Sequence, residues 1–340
     1  MRTTLQRCTL TVFLNNPPVN FKYTTSRPGE TRTGEVWEST PWNSPESLFV
    51  LMGAAEDIGV RANGGRPGAA QSTEALLSAL CALQVNDFFP APLVGLYGLI
   101  PLDDLQQKSL DLPIETLRSL TEEVDRRVEK AVLEVLSAGK IPILIGGGHN
   151  NAFPLLKAAS HHFQQPVHAL NLDAHTDLRP LEGRHSGNGF SYALHQGYLN
   201  KYAILGLHES YTPQDIVKRI KEDSNIAYVP FESWAVRGET SFSASIERLL
   251  HFLEFSTPIG IELDVDAIAH FPSSAQSYTG ITAEEARQFA YRMGQTRQAA
   301  YFHVCETALP LGSSEQNPAA AKAVASIVID FIKGHLNPLL

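Results

Sequence analysis

Asp173, His175 and Asp177 occupy alternate positions in the stretch NLDAHTDLRP, directly after the apolar run from Val167 to Leu170. In an extended chain residues i, i+2 and i+4 share a face. If that geometry persists past Leu172, the three side chains project together from the carboxyl end of a strand. Carboxylates and an imidazole brought together there repel or lose hydration unless a cation holds them. A helix N-cap in a solvated loop would account for one of these aspartates but not for the alternation. The design recurs. GIELDVDAI closes a second apolar run with Asp264 and Asp266, and ILIGGGHNN closes a third with glycines followed by His149. A lone DxD is weak evidence, and a lone histidine is more often structural. Each gains weight from the company of the others.

The charges suggest what is held. Asp173, Asp177, Asp264 and Asp266 supply four negative charges, and His149 and His175 are neutral donors, a set that two divalent cations balance. Mostly oxygen ligands with one imidazole per ion favour Mn²⁺ over a thiolate-loving metal. No cysteine lies among these motifs, which argues against a structural zinc site. Two such ions ~3.5 Å apart can hold a hydroxide between them at neutral pH, so a hydrolase is the first expectation. No GxSxG elbow or catalytic cysteine motif competes with it. The glycines of EDIGVRANGGRPGAA (56–70) form neither a GK[ST] nor a GxGxxG phosphate loop.

Strand ends must carry these groups, and the apolar runs that qualify as buried strands are 47–54, 93–100, 141–147, 167–173, 202–208, 226–231, 259–265 and 300–306. Amphipathic stretches separate them at 72–85, 151–162, 212–223, 241–254, 282–296 and 320–335. The clearest is 116–138, where Leu117, Leu120, Val124, Val128, Val132 and Val135 recur every three or four residues before Gly139. Strands apolar on both faces and alternating with helices imply a covered parallel sheet. A three-layer sandwich and a closed eight-stranded barrel both fit that count, and in either the functional residues belong at the carboxyl ends. Residues 1–45, rich in Thr, Pro and Asn, read as an extension packed on the outside or on a partner subunit, with one catalytic domain over 46–340.

Bulk composition agrees. The 340 residues are 43% hydrophobic and 19% charged, enough for a large core. A net charge of −9 disfavours nucleic acid or an anionic membrane as the main partner. Three scattered cysteines, Cys8, Cys81 and Cys305, suit a reducing cytosol. No signal peptide is read at the N-terminus, and no run reaches the ~18 apolar residues of a membrane helix. A cytoplasmic protein is expected.

From about Ser47 onward the chain resembles the ureohydrolase family of arginases, agmatinases and formimidoylglutamases. The family's GGxH appears as GGGHNN, its DAHxD as DAHTD, its DxD as LDVD, and its late-strand glutamate as Glu306 in VCETALPLG. The resemblance implies a three-layer α/β/α sandwich with a parallel, roughly eight-stranded sheet, and two Mn²⁺ per chain. It implies that His149 binds one ion and His175 the other, that Asp173 and one aspartate of LDVD, Asp264, bridge them, and that Asp177 and Asp266 complete one ion each. Asp177 would also orient the nucleophile. Glu306 would pair with the planar cationic head of an amidino or guanidino substrate through parallel hydrogen bonds. His303 and Cys305, alternating with Glu306, should face the opposite layer as packing residues. Family members commonly form trimers or hexamers, which leaves a homo-oligomer open.

Three departures favour the formimidoylglutamase branch. Gly148 stands where the family often has aspartate. In RHSGNGFSYAL, Ser186 and Asn188 are kept as expected substrate contacts, but Phe190 replaces the histidine that shuttles protons in arginases, a role His185 could take over. Arg179 follows DAHTD where arginases use a neutral residue, and its forked donors suit a carboxylate. Arg66 in the NGGRPGA loop is a second candidate for that contact. Asn150, where formimidoylglutamases often have an acidic residue, counts against the assignment. The expected reaction is hydrolysis of N-formimidoyl-L-glutamate to glutamate and formamide, with another guanidino or amidino substrate as the alternative. A metal-binding chain without catalysis, or a one-metal deacetylase of the same fold, would differ in metal content or activity.

Overall fold

The computed structural model describes residues 7–14, 16–24, 26–254 and 256–337, with side-chain detail from residue 26 onward. Strands β1 (Arg7–Leu14) and β2 (Asn16–Thr24) pair as an antiparallel hairpin. The main sheet follows with β3 (Phe49–Gly53), β4 (Val94–Leu99), β5 (Ile141–Ile145), β6 (Val167–Leu172), β7 (Leu199–Leu207), β8 (Ile226–Pro230), β9 (Ile259–Asp264) and β10 (Ala299–Cys305). All pair in parallel, in the order β4-β3-β5-β10-β9-β6-β7-β8. Among the described residues β4 and β8 form the two edges, so the sheet is open rather than a barrel. Each strand lies within three residues of its expected run at either end.

Helices cover both faces. One core forms where α3 (Ala69–Cys81), α10 (Phe242–Leu253), α11 (Ala283–Gln295) and α12 (Gln316–Leu336) meet the sheet through residues such as Leu77, Leu249, Phe289 and Phe331. The other lies under α5 (Ile114–Ser137), α6 (Ala152–Phe163), α7 (Gly189–His195) and α8 (Gln214–Glu222). The stripe expected on α5 is the buried face: Leu117, Val124, Val128, Val132 and Val135 are buried, and Gly139 at φ 72 ends the element. Thr282 and Glu285 close α11 with a reciprocal capping box. Short helices α1 (Thr33–Ser39), α2 (Ile58–Ala62), α4 (Asp103–Lys108) and α9 (Phe231–Ala235) were not apparent from periodicity, being too brief to show one.

Residues 1–6 of the expected extension lie outside the described residues. Further along it, α1 buries Trp37 against the first core, and Trp42 enters the second. Among the described residues no helix is long and apolar enough to cross a membrane.

Chain order explains where a site can form. The chain lays down β3, β4 and β5, leaves a gap, builds β6, β7 and β8 outward, and returns to fill the gap with β9 and β10. The four central strands β5, β10, β9 and β6 are therefore neighbours in space though up to 164 residues apart, from Ile141 to Cys305. A crevice at such a switch point, outside the carboxyl ends, is where open α/β sheets place ligands.

Candidate metal centre and active site

Each expected ligand emerges from one of these central strands. After β5 the backbone turns through Gly146 (φ 84) and Gly147 (φ 72), left-handed conformations that favour glycine. A Cβ at these positions would run into Thr73 or Asn151. The turn delivers His149 fully buried, with Phe190 packed edge-on against its ring (5.2 Å, 90°). The loop is held by a residue the motifs did not mark. Glu56, fully buried, accepts Gly148 N–H (3.2 Å), Asn150 Nδ2 (3.1 Å) and Asn151 Nδ2 (2.9 Å) on one oxygen and Ile58 N–H (2.8 Å) on the other. Burial pushes its carboxyl up, against those donors. Asn150 thus gives its amide nitrogen to Glu56, while its Oδ1 is buried without a partner among the described residues.

β6 ends at Leu172, so the extended geometry expected for DAHTD does not persist; Asp177 sits at φ 48. A loop, not a strand face, brings the three side chains together. Asp173 accepts Asn171 Nδ2 (3.0 Å) on Oδ2 and His175 N–H (2.7 Å) on Oδ1. Those same oxygens face the two imidazoles: Oδ2 lies 3.2 Å from His149 Nδ1, and Oδ1 lies 3.4 Å from His175 Nδ1. Asp177 (2.9 Å) and Asp264 (3.1 Å) also face His149 Nδ1. Asp264 is the last residue of β9 and Asp266 lies in the short turn after it, where Asp266 N–H donates to Asp264 Oδ1 (2.8 Å) and Asp266 Oδ2 stands 3.9 Å from His175 Nδ1. Glu306, just past β10, takes His149 N–H on Oε1 (2.9 Å) and leaves Oε2 without a hydrogen bond among the described residues.

The electrostatics of this cluster are those of a cation site. Ligand atoms of His149, Asp173, Asp177 and Asp264 all lie within 4.8 Å of one another. Burial, then repulsion from neighbouring carboxylates, pushes Asp177, Asp264 and Glu306 above the usual carboxylate range. Burial raises Asp266 too, against the pull of His175. Burial opposes a charge on His175, but Asp173, Asp266 and Asp177 outweigh it and carry the imidazole up to about 10. Both ring nitrogens of His149 are buried without a hydrogen bond. An unsatisfied imidazole ringed by carboxylates at 2.9–3.2 Å fits a divalent metal, which would satisfy both sets at once.

The cluster floors a cavity of about 630 Å³, lined by His175, Asp177, Asp264, Asp266 and Glu306 below and by Asn63, Arg179, Ser186, Tyr211, Asp215 and Ser274 above. Arg179 is the single Arg or Lys of the lining, and its guanidinium makes no hydrogen bond or ion pair among the described residues. Ser186 Oγ accepts Asn63 Nδ2 (3.2 Å). Tyr211 lies against the His175 ring (5.8 Å) and reaches Ser277 on the opposite loop (3.4 Å).

Several expectations are corrected. His185 is buried, with Gly187 N–H donating to Nδ1 (3.1 Å) and Nε2 facing Glu182 (3.2 Å). Both nitrogens are occupied inside its own loop and the ring does not line the cavity, so it carries no shuttle. Asn188 is likewise spent: it accepts from Arg184 (2.6 Å) and His185 (3.1 Å) and donates to Pro180 (3.2 Å) and Gly183 (2.8 Å). It shapes the loop rather than meeting substrate. Arg66 is tied to the carbonyls of Ser273 and Ser274. Cys305 is fully buried as expected of a packing residue, but His303 is not inert, since its Nδ1 bonds Glu262 Oε2 (2.6 Å). The strand ends at Cys305 and Glu306 turns at φ 62, so alternation does not relate them, and the His149 and His303 imidazoles with the Cys305 thiol come within 4.8 Å.

Sequence reasoning also missed a polar row one step below the cluster. Register pairs Asn171 with Glu262 and Glu262 with His303 across β6, β9 and β10. Glu262 accepts Tyr301 Oη (2.7 Å) and bonds His303 Nδ1 (2.6 Å). The one available signal was a glutamate inside the apolar run IGIELD.

An open parallel sheet with a carboxylate–imidazole crevice at the ends of its central strands defines an α/β metallohydrolase type of protein. The arginase family model matches residues 47–332, and the chain belongs to that family. A Vibrio vulnificus formimidoylglutamase is 27% identical over 260 residues, 71% of this chain and 69% of that one. A Macrococcus caseolyticus formimidoylglutamase is 26% identical over 302 residues, 85% of each. A Trypanosoma cruzi formiminoglutamase crystallised with Mn²⁺ superposes with a TM-score of 0.75 at 21% identity, covering 91% of this chain and all of that one. A Bacillus subtilis formimidoylglutamase gives 0.77 at 16% identity, covering 93% and 95%.

Proposed function

We propose that the chain is a binuclear manganese hydrolase that cleaves N-formimidoyl-L-glutamate with water into L-glutamate and formamide, a step of histidine breakdown in the cytoplasm. His149, Asp173, His175, Asp177, Asp264 and Asp266 would hold the ions, with Asp173 between the two imidazoles. When bound, the ions cancel the repulsion among the carboxylates and activate water at neutral pH. Glu306 offers its unbonded oxygen to the cationic formimidoyl head. Asp177, which lines the cavity, takes a proton from the attacking water and returns it to the departing nitrogen. The bond from the formimidoyl carbon to the glutamate nitrogen breaks, and the oxygen of water leaves in formamide. Self-association remains part of this reading through the family alone, and the free, buried Cys81 and Cys305 support a reducing compartment.

Arg179 carries the choice of substrate. It is the one Arg or Lys in the lining, is unpaired among the described residues, and stands above an acidic floor. A substrate with a cationic end and carboxylates at the other matches that polarity: formimidoylglutamate offers two carboxylates, arginine and guanidinobutyrate one each, and agmatine none. The test is a product assay on Mn²⁺-loaded protein offered formimidoylglutamate, arginine, agmatine and guanidinobutyrate in parallel. Formamide and glutamate from the first alone is the expected result; urea from any of the others would replace the substrate assignment.

A further inference from the structure

His149 presents a back as well as a front. Its Nδ1 faces Asp173, Asp177 and Asp264, while its Nε2 faces Glu262 Oε2 across 3.6 Å, with both residues fully buried. A neutral imidazole that gives its Nδ1 lone pair to a cation must carry its proton on Nε2, and that proton needs an acceptor. We infer that Glu262 is the positioning residue for His149, a carboxylate behind the ring that fixes its tautomer and orientation toward the metal centre.

Glu262 is itself built in. Tyr301 Oη donates to Oε1 (2.7 Å) and His303 Nδ1 bonds Oε2 (2.6 Å). Tyr301 can reach it because its register partner is Gly260, where a Cβ would collide with the Tyr301 hydroxyl. A carboxylate in the middle of a central strand is costly to bury, and an apolar residue would serve packing better. The arrangement is explained if its charge is used by His149. Cys305, the other group near the back of the ring, is a poor alternative. Its thiol is a weak acceptor, and it donates toward Leu263 O (3.7 Å).

This inference rests on the binuclear reading, and its test separates the two. Mn²⁺ would be titrated into the metal-free full chain, followed by calorimetry and by the electron paramagnetic resonance of the manganese, for wild type, Glu262→Gln and Tyr301→Phe. The metal-free melting temperature of each would be recorded alongside. In wild type two ions bind. In Glu262→Gln one of the two sites weakens about 10–100-fold, the range for loss of a partner behind a ligand, while the other site and the metal-free melting temperature change little. Tyr301→Phe, which keeps the carboxylate but frees one oxygen, weakens the same site by a smaller factor. It also provides the test if Glu262→Gln fails to fold. Two wild-type affinities in Glu262→Gln, or equal weakening of both sites with a matching fall in metal-free stability, would overturn the inference alone. A wild-type chain that takes up no Mn²⁺ would overturn both it and the binuclear reading.

Discussion

Two buried polar clusters meet at the GGGHNN turn on opposite terms. In one, Arg184, only 2% exposed, directs its five guanidinium N–H groups at five acceptor contacts: Asp125 twice (2.8 and 3.3 Å), Asn150 O (2.8 Å), Asn188 Oδ1 (2.6 Å) and His185 O (3.4 Å). Phe153 and Tyr192 flank its plane at 4.7 and 5.0 Å. In the other, carboxylates crowd one another, and His149 has no hydrogen bond on either ring nitrogen. The satisfied cluster is scaffold: it fastens α5 and the 182–188 loop to the turn that carries His149. The frustrated one is where a ligand belongs, because only an added charge relieves it. Buried polar groups are thus sorted by whether the protein alone completes them.

This contrast predicts opposite responses to mutation. Asp264→Asn should abolish turnover, by about 10³-fold or more, as removal of a group acting on the transition state does. It should leave metal-free stability unchanged or higher, since burial and the neighbouring Asp266 already penalise the Asp264 charge. Product assays and melting curves on the same preparation check both halves; a metal-free protein that melts markedly lower would break the contrast. Arg184→Met should do the reverse. Burial pushes Asp125 up to about 6 even with Arg184 opposite, and stranding that carboxyl should cost roughly 3–5 kcal/mol in urea unfolding. The double variant Arg184→Met with Asp125→Leu should recover much of the loss, and both should still take up Mn²⁺ when folded.

The same sorting governs what could be read from the sequence. The apolar runs named the eight strands of the sheet because burial on both faces writes a continuous signal. That the carboxylates and imidazoles of these motifs would gather was legible because like charges at strand ends are too costly to keep unless a cation binds them. The roles of Glu56, Glu262 and Arg184 were not legible. Each is one charged residue whose partners lie far along the chain, Asn150 for Glu56, Tyr301 for Glu262 and Asp125 for Arg184, and no local spacing reports such pairings. His185 and Asn188 failed for the complementary reason. Their residue types suit chemistry, but whether a polar side chain is already occupied is decided by the folded loop alone.

Arg179 sharpens the contrast from the cavity side, since it is a charged group left unpaired at the rim rather than in the floor. Arg179→Ala should raise KM for formimidoylglutamate about 10–100-fold, the worth of one or two charge-assisted bonds. It should change kcat little, because the carboxylate it would bind does not change during reaction. Stability should not move. Equal losses in kcat and kcat/KM would place Arg179 in the chemistry instead.

The smallest expected effect lies in the satisfied cluster and depends on pH. Burial, and then the Arg118 guanidinium, holds His185 down to about 4, below its ordinary 6.5. The unfolded chain therefore takes up the proton first. The contribution of His185 is fully present above its unfolded pKa and is lost progressively as pH falls from about 6.5 toward 4, because protons favour the unfolded state throughout that window. With Mn²⁺ absent, His185→Asn should lower the urea midpoint at pH 7, and the gap between the variant and wild type should narrow between pH 7 and pH 5. The raised carboxylates of the metal centre act in the opposite direction. Burial makes them take up protons more readily in the folded chain than in the unfolded one, so acid helps the frustrated cluster while it harms the satisfied one. If that gap does not narrow, the 182–188 loop is not held by a neutral imidazole.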